Sequence, residues 1–380
     1  MPNPLCQQIS SFLVMDILER ACALEREGKH VVHLQIGEPD FDTPEPVKQA
    51  AVKAIRDGQT HYTHSLGLPA LREAICDWYR RTYGVDVDPN RVVVTSGTSP
   101  AMLLTFSTLV HPGDEVLLTD PAYACYPNFI TYAGGRVRRS RTRPQDGFQF
   151  TPETLADPLA DSPRAVVVNS PANPAGTLAP DKAFTTIRDS GSTIVSDEIY
   201  HGLEYGGARA RSALEFTEDC FVLNGFSKLW AMTGWRLGWV IAPMKYVPAM
   251  QRLQQNFFIS AGSVAQWAGI AALTVCDEDV ARMKAEYARR RLVLLSGLTK
   301  LGLKAPVEPL GAFYVLVDAR HLGNDSLALA RDILEKALVG VTPGIDFGPG
   351  AEGYLRFSYA NSVENIEEGL ARLGKYLENA

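Results

Sequence analysis

One lysine and one arginine interrupt an apolar stretch of the sequence. Lys228 and Arg236 lie in NGFSKLWAMTGWRLGWVIA, residues 224–242, where most other side chains are apolar or aromatic. Charged groups are rarely buried without a partner, because removing them from water is costly. An apolar setting lowers the pKa of a lysine and makes it a better nucleophile, and an arginine fork binds anions. Either an irregular turn exposes the pair, or an electrophilic and anionic ligand lies against it.

The composition is that of an ordinary globular protein. Of 380 residues, 46% are hydrophobic and 21% are charged, and the net charge is −6. This acidic balance argues against nucleic acid or an anionic membrane surface as the main partner, and no apolar run reaches the ~18 residues of a transmembrane helix. The six cysteines show no C-x-x-C spacing. We therefore expect reduced thiols in a cytoplasm, with no disulfide framework and no metal site.

Alternating helical and strand-like segments predict an α/β fold. Short β-branched runs separated by helical stretches occupy residues 91–97, 115–120, 136–142, 164–170, 192–200, 220–225 and 238–242. Such a pattern indicates a mainly parallel sheet covered by helices. We predict a large α/β domain over residues 45–285. A smaller α+β domain is predicted from residues 286–380 and an N-terminal arm, residues 1–44, whose segment 9–21 has the pattern of an amphipathic helix and not of a signal peptide.

Polar residues cluster in the segments that follow these strands, where ligands bind in parallel sheets. The segments are SGTSPA (96–101), DPAYACYP (120–127), NSPANPAG (169–176), SDEIY (196–200) and GFSKLWAMTGWRLGW (225–239). Their order and spacing resemble those of the class I/II aminotransferases, which are fold-type I enzymes dependent on pyridoxal phosphate. The resemblance runs from IGEPDFDTP (36–44) to YLRFSYA (354–360). It implies a large domain that binds pyridoxal 5'-phosphate, with the smaller domain packed against it.

The resemblance also implies which residues bind this cofactor. Lys228 matches the lysine that bonds to the cofactor aldehyde, and Arg236 matches the arginine that holds its phosphate. Asp197 matches the carboxylate that pairs with the pyridine nitrogen. The other implied cofactor positions are Thr98, Ser99 and Ser227 at the phosphate, Asn173 and Tyr200 at the phenolic oxygen, and Tyr123 against the ring. Thr98 and Ser99 have an alternative role as a helix cap, and Asn173 as a turn residue before a proline.

Other positions are implied for the substrate and for a second subunit. Arg356 matches the arginine that binds the α-carboxylate through its planar fork. Gly37 matches a glycine whose backbone lines the substrate site, and Asn173 faces the same site. Tyr62 matches a tyrosine that, in relatives, reaches the phosphate of the neighbouring subunit. The resemblance therefore implies a homodimer with shared active sites.

The expected reaction is transfer of an amino group from an α-amino acid to a 2-oxo acid. Lys228 would move the proton, with Asp197 and Tyr200 as the other catalytic residues. A C–S β-lyase, or a lyase like aminocyclopropane-carboxylate synthase, is the alternative, because such enzymes share the cofactor residues. A regulatory cofactor-binding domain is a third interpretation, disfavoured by the acidic chain. The sequence identifies no second cation for a distal carboxylate, and so leaves the preferred amino acid open.

Overall fold

The computed structural model describes residues 3–379 and contains helices and strands in the alternation predicted. The strands are β1 Val32–His33, β2 Val92–Thr95, β3 Glu115–Asp120, β4 Arg136–Arg141, β5 Ala165–Asn169, β6 Thr193–Asp197, β7 Cys220–Gly225, β8 Gly238–Ile241, β9 Tyr314–Asp318, β10 Val339–Gly340, β11 Thr342–Pro343 and β12 Tyr354–Ser358. The helices are α1 Pro4–Gln8, α2 Leu13–Arg26, α3 Glu45–Arg56, α4 Pro69–Tyr83, α5 Thr98–Leu109, α6 Tyr126–Tyr132, α7 Pro152–Ala160, α8 Asp181–Ser190, α9 Val247–Phe257, α10 Ser263–Val275, α11 Asp277–Lys300, α12 Ser326–Ala337 and α13 Val363–Glu378.

The central sheet has seven strands in the order β2-β8-β7-β6-β5-β3-β4. Its strands are parallel to their neighbours except β8, which pairs antiparallel with β2 and with β7. Every residue of β2 and of β7 is buried, as continuous apolar strands in a sheet covered on both faces should be. The prediction of a mainly parallel sheet covered by helices is confirmed.

Residue types at the helix ends explain where several helices start and stop. Proline lies in the first turn of α3 and of α4, where a missing backbone N–H costs nothing because that N–H has no partner within the helix. Helix α4 ends at Gly84, whose φ of 70° is easily adopted only by a residue without a Cβ. The strand and helix patterns in the sequence therefore located these elements to within a few residues.

There are two smaller sheets, and one of them joins the N-terminal segment to the C-terminal third of the chain. Strand β1 pairs parallel with β10, and the strands β11, β12 and β9 form an antiparallel sheet in that order. Helix α11 runs without interruption for 24 residues through positions 285 and 286, where the sequence analysis placed a domain boundary. The division into residues 1–44, 45–285 and 286–380 stays a prediction.

The topology brings the ends of parallel strands to one edge of the central sheet. Strands β5 and β6 are neighbours in parallel register, with Asn169 opposite Asp197 at their last paired position. Strand β7 lies on the other side of β6 and continues into the irregular segment 226–237 before β8. Because these strand ends are adjacent, the polar segments that follow them in the sequence are adjacent in space.

Candidate active site

A cavity of about 480 Å³ lies at this edge of the central sheet. Its lining includes Asn169 and Asp197 from the strand ends, Arg356 from β12, and residues of the N-terminal segment. All the residues predicted for the site line it except Tyr62; they are Gly37, Thr98, Ser99, Tyr123, Asn173, Asp197, Tyr200, Ser227, Lys228, Arg236 and Arg356. Among the predicted residues, Gly37 and Arg356, which are 319 positions apart in the sequence, thus meet in one cavity.

The amine of Lys228 is half-buried in this cavity, and its Nζ donates a hydrogen bond to the carbonyl oxygen of Gly37 at 2.6 Å. Burial lowers the pKa of Lys228 to about 8, the carboxylate of Glu38 opposes this shift, and the guanidinium groups of Arg356 and Arg236 add to it. Because the charged form is disfavoured, a substantial share of the amine is neutral at mildly alkaline pH. The neutral amine is the nucleophilic form.

Arg236 lies where an anion would be bound, at the start of helix α5. Its backbone has a φ of 51°, a conformation that costs free energy in a residue with a Cβ, and its Nη1 donates to Thr233 O at 2.9 Å. A Cβ added at Gly97 would lie 2.6 Å from Arg236 Nη2, so the missing side chain of Gly97 lets the guanidinium approach the backbone closely. A guanidinium beside a helix N-terminus is a good site for a phosphate group.

The start of α5 also decides between two interpretations of Thr98 and Ser99. The N-cap residue of this helix is Gly97, and no side chain caps it. The two hydroxyl side chains therefore do not serve as the N-cap, and both line the cavity. Their position fits the predicted contact with a phosphate group.

Asp197 is the buried last residue of β6 and accepts two hydrogen bonds. Tyr126 Oη donates to its Oδ2 at 2.5 Å, and the backbone N–H of Ile199 donates to its Oδ1 at 3.3 Å. Burial raises the pKa of Asp197 to about 6, and the hydrogen bond from Tyr126 opposes that rise. The carboxylate is thus ionised at neutral pH and can pair with a protonated ring nitrogen.

The sequence analysis did not single out Tyr126, although a signal for it was present. Tyr123 and Tyr126 stand three positions apart in DPAYACYP, and their rings pack edge-on at 5.2 Å. Helix α6 begins at Tyr126, and Tyr123 lies in the irregular segment just before it. A second aromatic residue one turn after a predicted ring contact was the available indication.

Arg356 is fixed by three hydrogen bonds and is only 2% exposed. Its Nη1 donates to Asn173 Oδ1 at 2.8 Å, and its Nη2 donates to Gln35 O at 2.6 Å and to Thr342 Oγ1 at 3.0 Å. Thr342 is available because the antiparallel register of β11 and β12 sets it opposite Arg356. Since Asn173 uses its oxygen on the arginine, its amide nitrogen is left to donate to a ligand oxygen.

Tyr200 and Tyr314 form a buried pair in the cavity wall, with their hydroxyl oxygens 2.8 Å apart. Burial raises the pKa of Tyr200, so its hydroxyl stays neutral and can donate a hydrogen bond. A Cβ added at Gly37 would lie 1.9 Å from Tyr314 Oη, which explains why glycine stands at position 37. Tyr314 was missed because the apolar strand segment GAFYVLVDA gives no sign that one of its residues faces a ligand.

Tyr62 is the one predicted site residue that lies outside the cavity of its own chain. It is 82% exposed. Neighbouring Ser65 accepts a hydrogen bond from Gln251 Nε2 at 3.1 Å, which ties this segment to α9. The contact of Tyr62 with a second subunit stays a prediction.

Together these groups fit pyridoxal 5'-phosphate. The cavity offers an amine of lowered pKa in Lys228, an anion site at Arg236 and the start of α5, and an ionised carboxylate in Asp197. These match the three polar ends of the cofactor, which are its aldehyde, its phosphate and its ring nitrogen. The fold and the site thus define a fold-type I enzyme that depends on pyridoxal phosphate.

Comparisons with known proteins identify the family. The chain matches the model of the family "Aminotransferase class I and II" over residues 29–373, and it belongs to that family. It is 41% identical over 371 residues to the (5-formylfuran-3-yl)methyl phosphate transaminase of Methanocaldococcus jannaschii, with 97% of each chain covered. It is 40% identical over 370 residues to the aspartate/prephenate aminotransferase of Thermus thermophilus, with 95% of this chain and 94% of that one covered. The structure of the aspartate aminotransferase from Thermus thermophilus with maleate has a TM-score of 0.94 to it at 38% identity, with 99% of each chain covered.

These findings confirm the resemblance, the fold class, the cofactor and the reaction type. The protein is an aminotransferase that uses pyridoxal phosphate and transfers an amino group from an α-amino acid to a 2-oxo acid. The lyase alternative has no support, because the relatives compared are aminotransferases.

Proposed function

We propose that Lys228, Asp197 and Arg356 carry out this amino transfer as the proton-transfer residue, the partner of the ring nitrogen and the anchor of the substrate carboxylate. The observation that carries the proposal is the convergence of all three groups on one cavity, with the pKa of the Lys228 amine lowered to about 8. An amine that gains and loses a proton near neutral pH is suited to general acid–base catalysis.

Each group has a separate task in this scheme. When bound, pyridoxal phosphate supplies an aldehyde that bonds to amines and a ring that takes up the electron pair of the substrate's Cα–H bond. Lys228 would take up the Cα proton of the substrate as the general base and then give up a proton as the general acid. Asp197 would stabilise a protonated ring nitrogen, Arg356 would orient the substrate through its α-carboxylate, and the guanidinium of Arg236 would hold the phosphate.

Tyr200, Asn173 and Tyr123 complete the proposed contacts with the cofactor. The amide nitrogen of Asn173 and the hydroxyl of Tyr200 would donate to its phenolic oxygen, and the ring of Tyr123 would pack against the pyridine. Thr98, Ser99 and Ser227 add hydroxyl donors at the phosphate end, and the backbone of Gly37 lines the substrate side. All of these residues border the same cavity.

The experiment that tests the proposal is reduction of the holoenzyme with borohydride, followed by peptide mapping. The reduced cofactor should be found on Lys228, and a Lys228→Ala variant should give no labelled peptide. With an amino acid alone, the enzyme should release one equivalent of 2-oxo acid per site and stop until a second 2-oxo acid is added. Label on a different lysine would overturn the assignment.

We also propose a homodimer with shared active sites. The support is the exposed Tyr62, which lies beside α9, together with the exposed apolar residues Phe257 and Ile259 at the end of that helix. Apolar side chains exposed together are typical of an interface. Sedimentation equilibrium should give about twice the 41.6 kDa of one chain, and Tyr62→Ala should weaken cofactor binding. A single-chain mass in dilute holoenzyme would contradict the dimer.

We propose that the enzyme works in the cytoplasm. All six cysteines are free thiols in the structure, as is usual in a reducing compartment. Across residues 3–379, no helix has the length and apolar character needed to span a bilayer. Alkylation of intact cells followed by mass spectrometry should find the thiols reduced, and fractionation should recover the protein with cytoplasmic markers.

A further inference from the structure

We infer that the substrate side chain occupies an apolar subsite formed by Phe12, Met15 and Leu18, and that the enzyme prefers amino acids with apolar side chains to dicarboxylic ones. The inference rests on the proposed function, because it takes Arg356 as the anchor of the α-carboxylate. It extends to both half-reactions, since the amino acid and the 2-oxo acid use the same cavity. Monocarboxylic oxo acids such as pyruvate should therefore be better acceptors than oxaloacetate.

The apolar wall comes from the start of helix α2 and the residue before it. Phe12, Met15 and Leu18 line the cavity, and Met15 and Leu18 are three positions apart, so they lie on the same side of the helix. The ring of Phe12 packs edge-on against that of Tyr123 at 5.9 Å. Since Tyr123 is the residue proposed to stack on the cofactor ring, the wall stands beside the reacting end of the cavity.

The wall is held in place from two sides. The carboxylate of Asp346 accepts hydrogen bonds from the backbone N–H groups of Leu13 at 2.9 Å and Val14 at 3.2 Å. Upstream, the backbone N–H of Ser10 donates to Asn128 Oδ1 at 3.1 Å. A surface fixed in this way before binding selects substrates by fit, because it does not have to be ordered by the ligand.

Within one chain, the charges of the cavity leave no cation for a second carboxylate. Lys228, Arg236 and Arg356 are the only basic residues among those that line it. In the proposed function each already has a partner. Lys228 bonds to the cofactor aldehyde, Arg236 binds the phosphate, and Arg356 binds the α-carboxylate. Of the two acidic residues in the lining, Asp197 would pair with the ring nitrogen, and Glu38 accepts a hydrogen bond from Thr233 Oγ1.

A dicarboxylic substrate would therefore meet an apolar wall, and the chain has no free cation in the lining to pair with its second carboxylate. Moving an ionised carboxylate from water into such a site without a partner is strongly unfavourable. An apolar side chain of similar size is stabilised when it and the same wall are removed from water, by about 25 cal/mol per Å² of apolar surface buried. Both effects favour the apolar substrate, so their free energies add in the ratio of kcat/KM for the apolar substrate to kcat/KM for the dicarboxylic one.

The first test compares substrates of similar size that differ in charge. The holoenzyme is mixed with leucine, asparagine or aspartate, and a single turnover is monitored through the absorbance of the cofactor. This gives kcat/KM for the half-reaction of each amino acid. Leucine should exceed aspartate on the order of a hundredfold, with asparagine between them. Aspartate equal to or better than leucine would overturn the inference while leaving amino transfer intact. Failure of all amino acids would instead count against the proposed function.

The second test measures binding without turnover. Calorimetric titration of the holoenzyme with 4-methylpentanoate and with maleate gives the dissociation constant of each ligand. Neither ligand has an amino group to transfer, so the comparison is independent of catalysis. Binding of 4-methylpentanoate should be tighter by at least about tenfold. Tighter binding of maleate would show that a cation reaches the subsite, and it would refute the charge argument.

The third test changes the wall itself. Met15→Lys places a cation in the wall, and Met244→Lys makes the same change at a methionine outside the cavity; the two are 51% and 45% exposed. Met15→Lys should raise the aspartate-to-leucine ratio of kcat/KM at least about tenfold, and Met244→Lys should leave it unchanged. Equal ratios in the two variants would show that Met15 does not contact the substrate side chain.

Discussion

The replacement of Arg356 by lysine separates the charge of this residue from its shape. The planar guanidinium is fixed by hydrogen bonds to Asn173, Gln35 and Thr342, and it lies 4.2 Å from the centre of the Tyr314 ring. Lysine keeps the positive charge and one donor for Asn173, but it has no fork and a flexible stem. A substrate carboxylate would therefore lose a fixed pair of donors and retain a mobile point charge.

The expected loss follows from the two charge-assisted hydrogen bonds of a bidentate contact. Each contributes about 1.5–3 kcal/mol when shielded from water. The variant retains part of this through its ammonium group, so we expect transition-state stabilisation to fall by about 3 kcal/mol, on the order of a hundredfold in kcat/KM. Every amino acid should be affected alike, because all carry the α-carboxylate.

The assay compares an amino acid with the amine that lacks its carboxylate, in wild type and in Arg356→Lys. The amine should react at nearly the same rate in both enzymes. Arg291→Lys is the matched control, because Arg291 is also a buried arginine with a backbone acceptor, Pro309 O at 2.6 Å, but does not line the cavity. It should reproduce any loss of thermal stability without the loss of kcat/KM. Equal losses for amino acid and amine in Arg356→Lys would mean that this arginine is structural.

Three further perturbations test other parts of the site. Tyr126→Phe removes the hydrogen bond that opposes the raised pKa of Asp197, so the pH dependence of cofactor affinity should move to higher pH; an unmoved profile would contradict this. Gly37→Ala puts a Cβ 1.9 Å from a tyrosine hydroxyl and should lower kcat/KM at least about tenfold, whereas Gly262→Ala, with no atom within 4 Å, should not. The rate of covalent cofactor capture by Lys228 should rise with pH and level off above about 8, because the ammonium form cannot attack; a rate that keeps rising to about pH 10 would refute the lowered pKa.

The sequence was sufficient to predict the strands of the central sheet and the position of Lys228 after β7. Strand patterns are local, and the motif residues stand in order at the strand ends, so the topology of the fold brings them together. Asp197 at the end of β6 is an example, because its position in IVSDEIY already placed it at the ligand edge.

Contacts between distant segments could not be predicted in this way. The acceptors of Arg356 include Gln35 O, which is 321 positions away, and no local pattern indicates such a contact. The antiparallel direction of β8 was also not anticipated, because an apolar run looks the same in either direction. Segment 9–21 was predicted as an amphipathic helix, but the pattern did not reveal that Met15 and Leu18 face a cavity.

The hydrogen bond between Arg356 and Asn173 limits how the substrate range of this enzyme can be redesigned. An enzyme for simple amines needs no carboxylate anchor, and an apolar residue at position 356 would suit such substrates. That change alone would leave the buried Asn173 Oδ1 without its donor, at a cost of about 1–3 kcal/mol. It would also free the amide to rotate away from the cofactor. Re-engineering for amines therefore has to begin with a pair of substitutions at positions 356 and 173, introduced together.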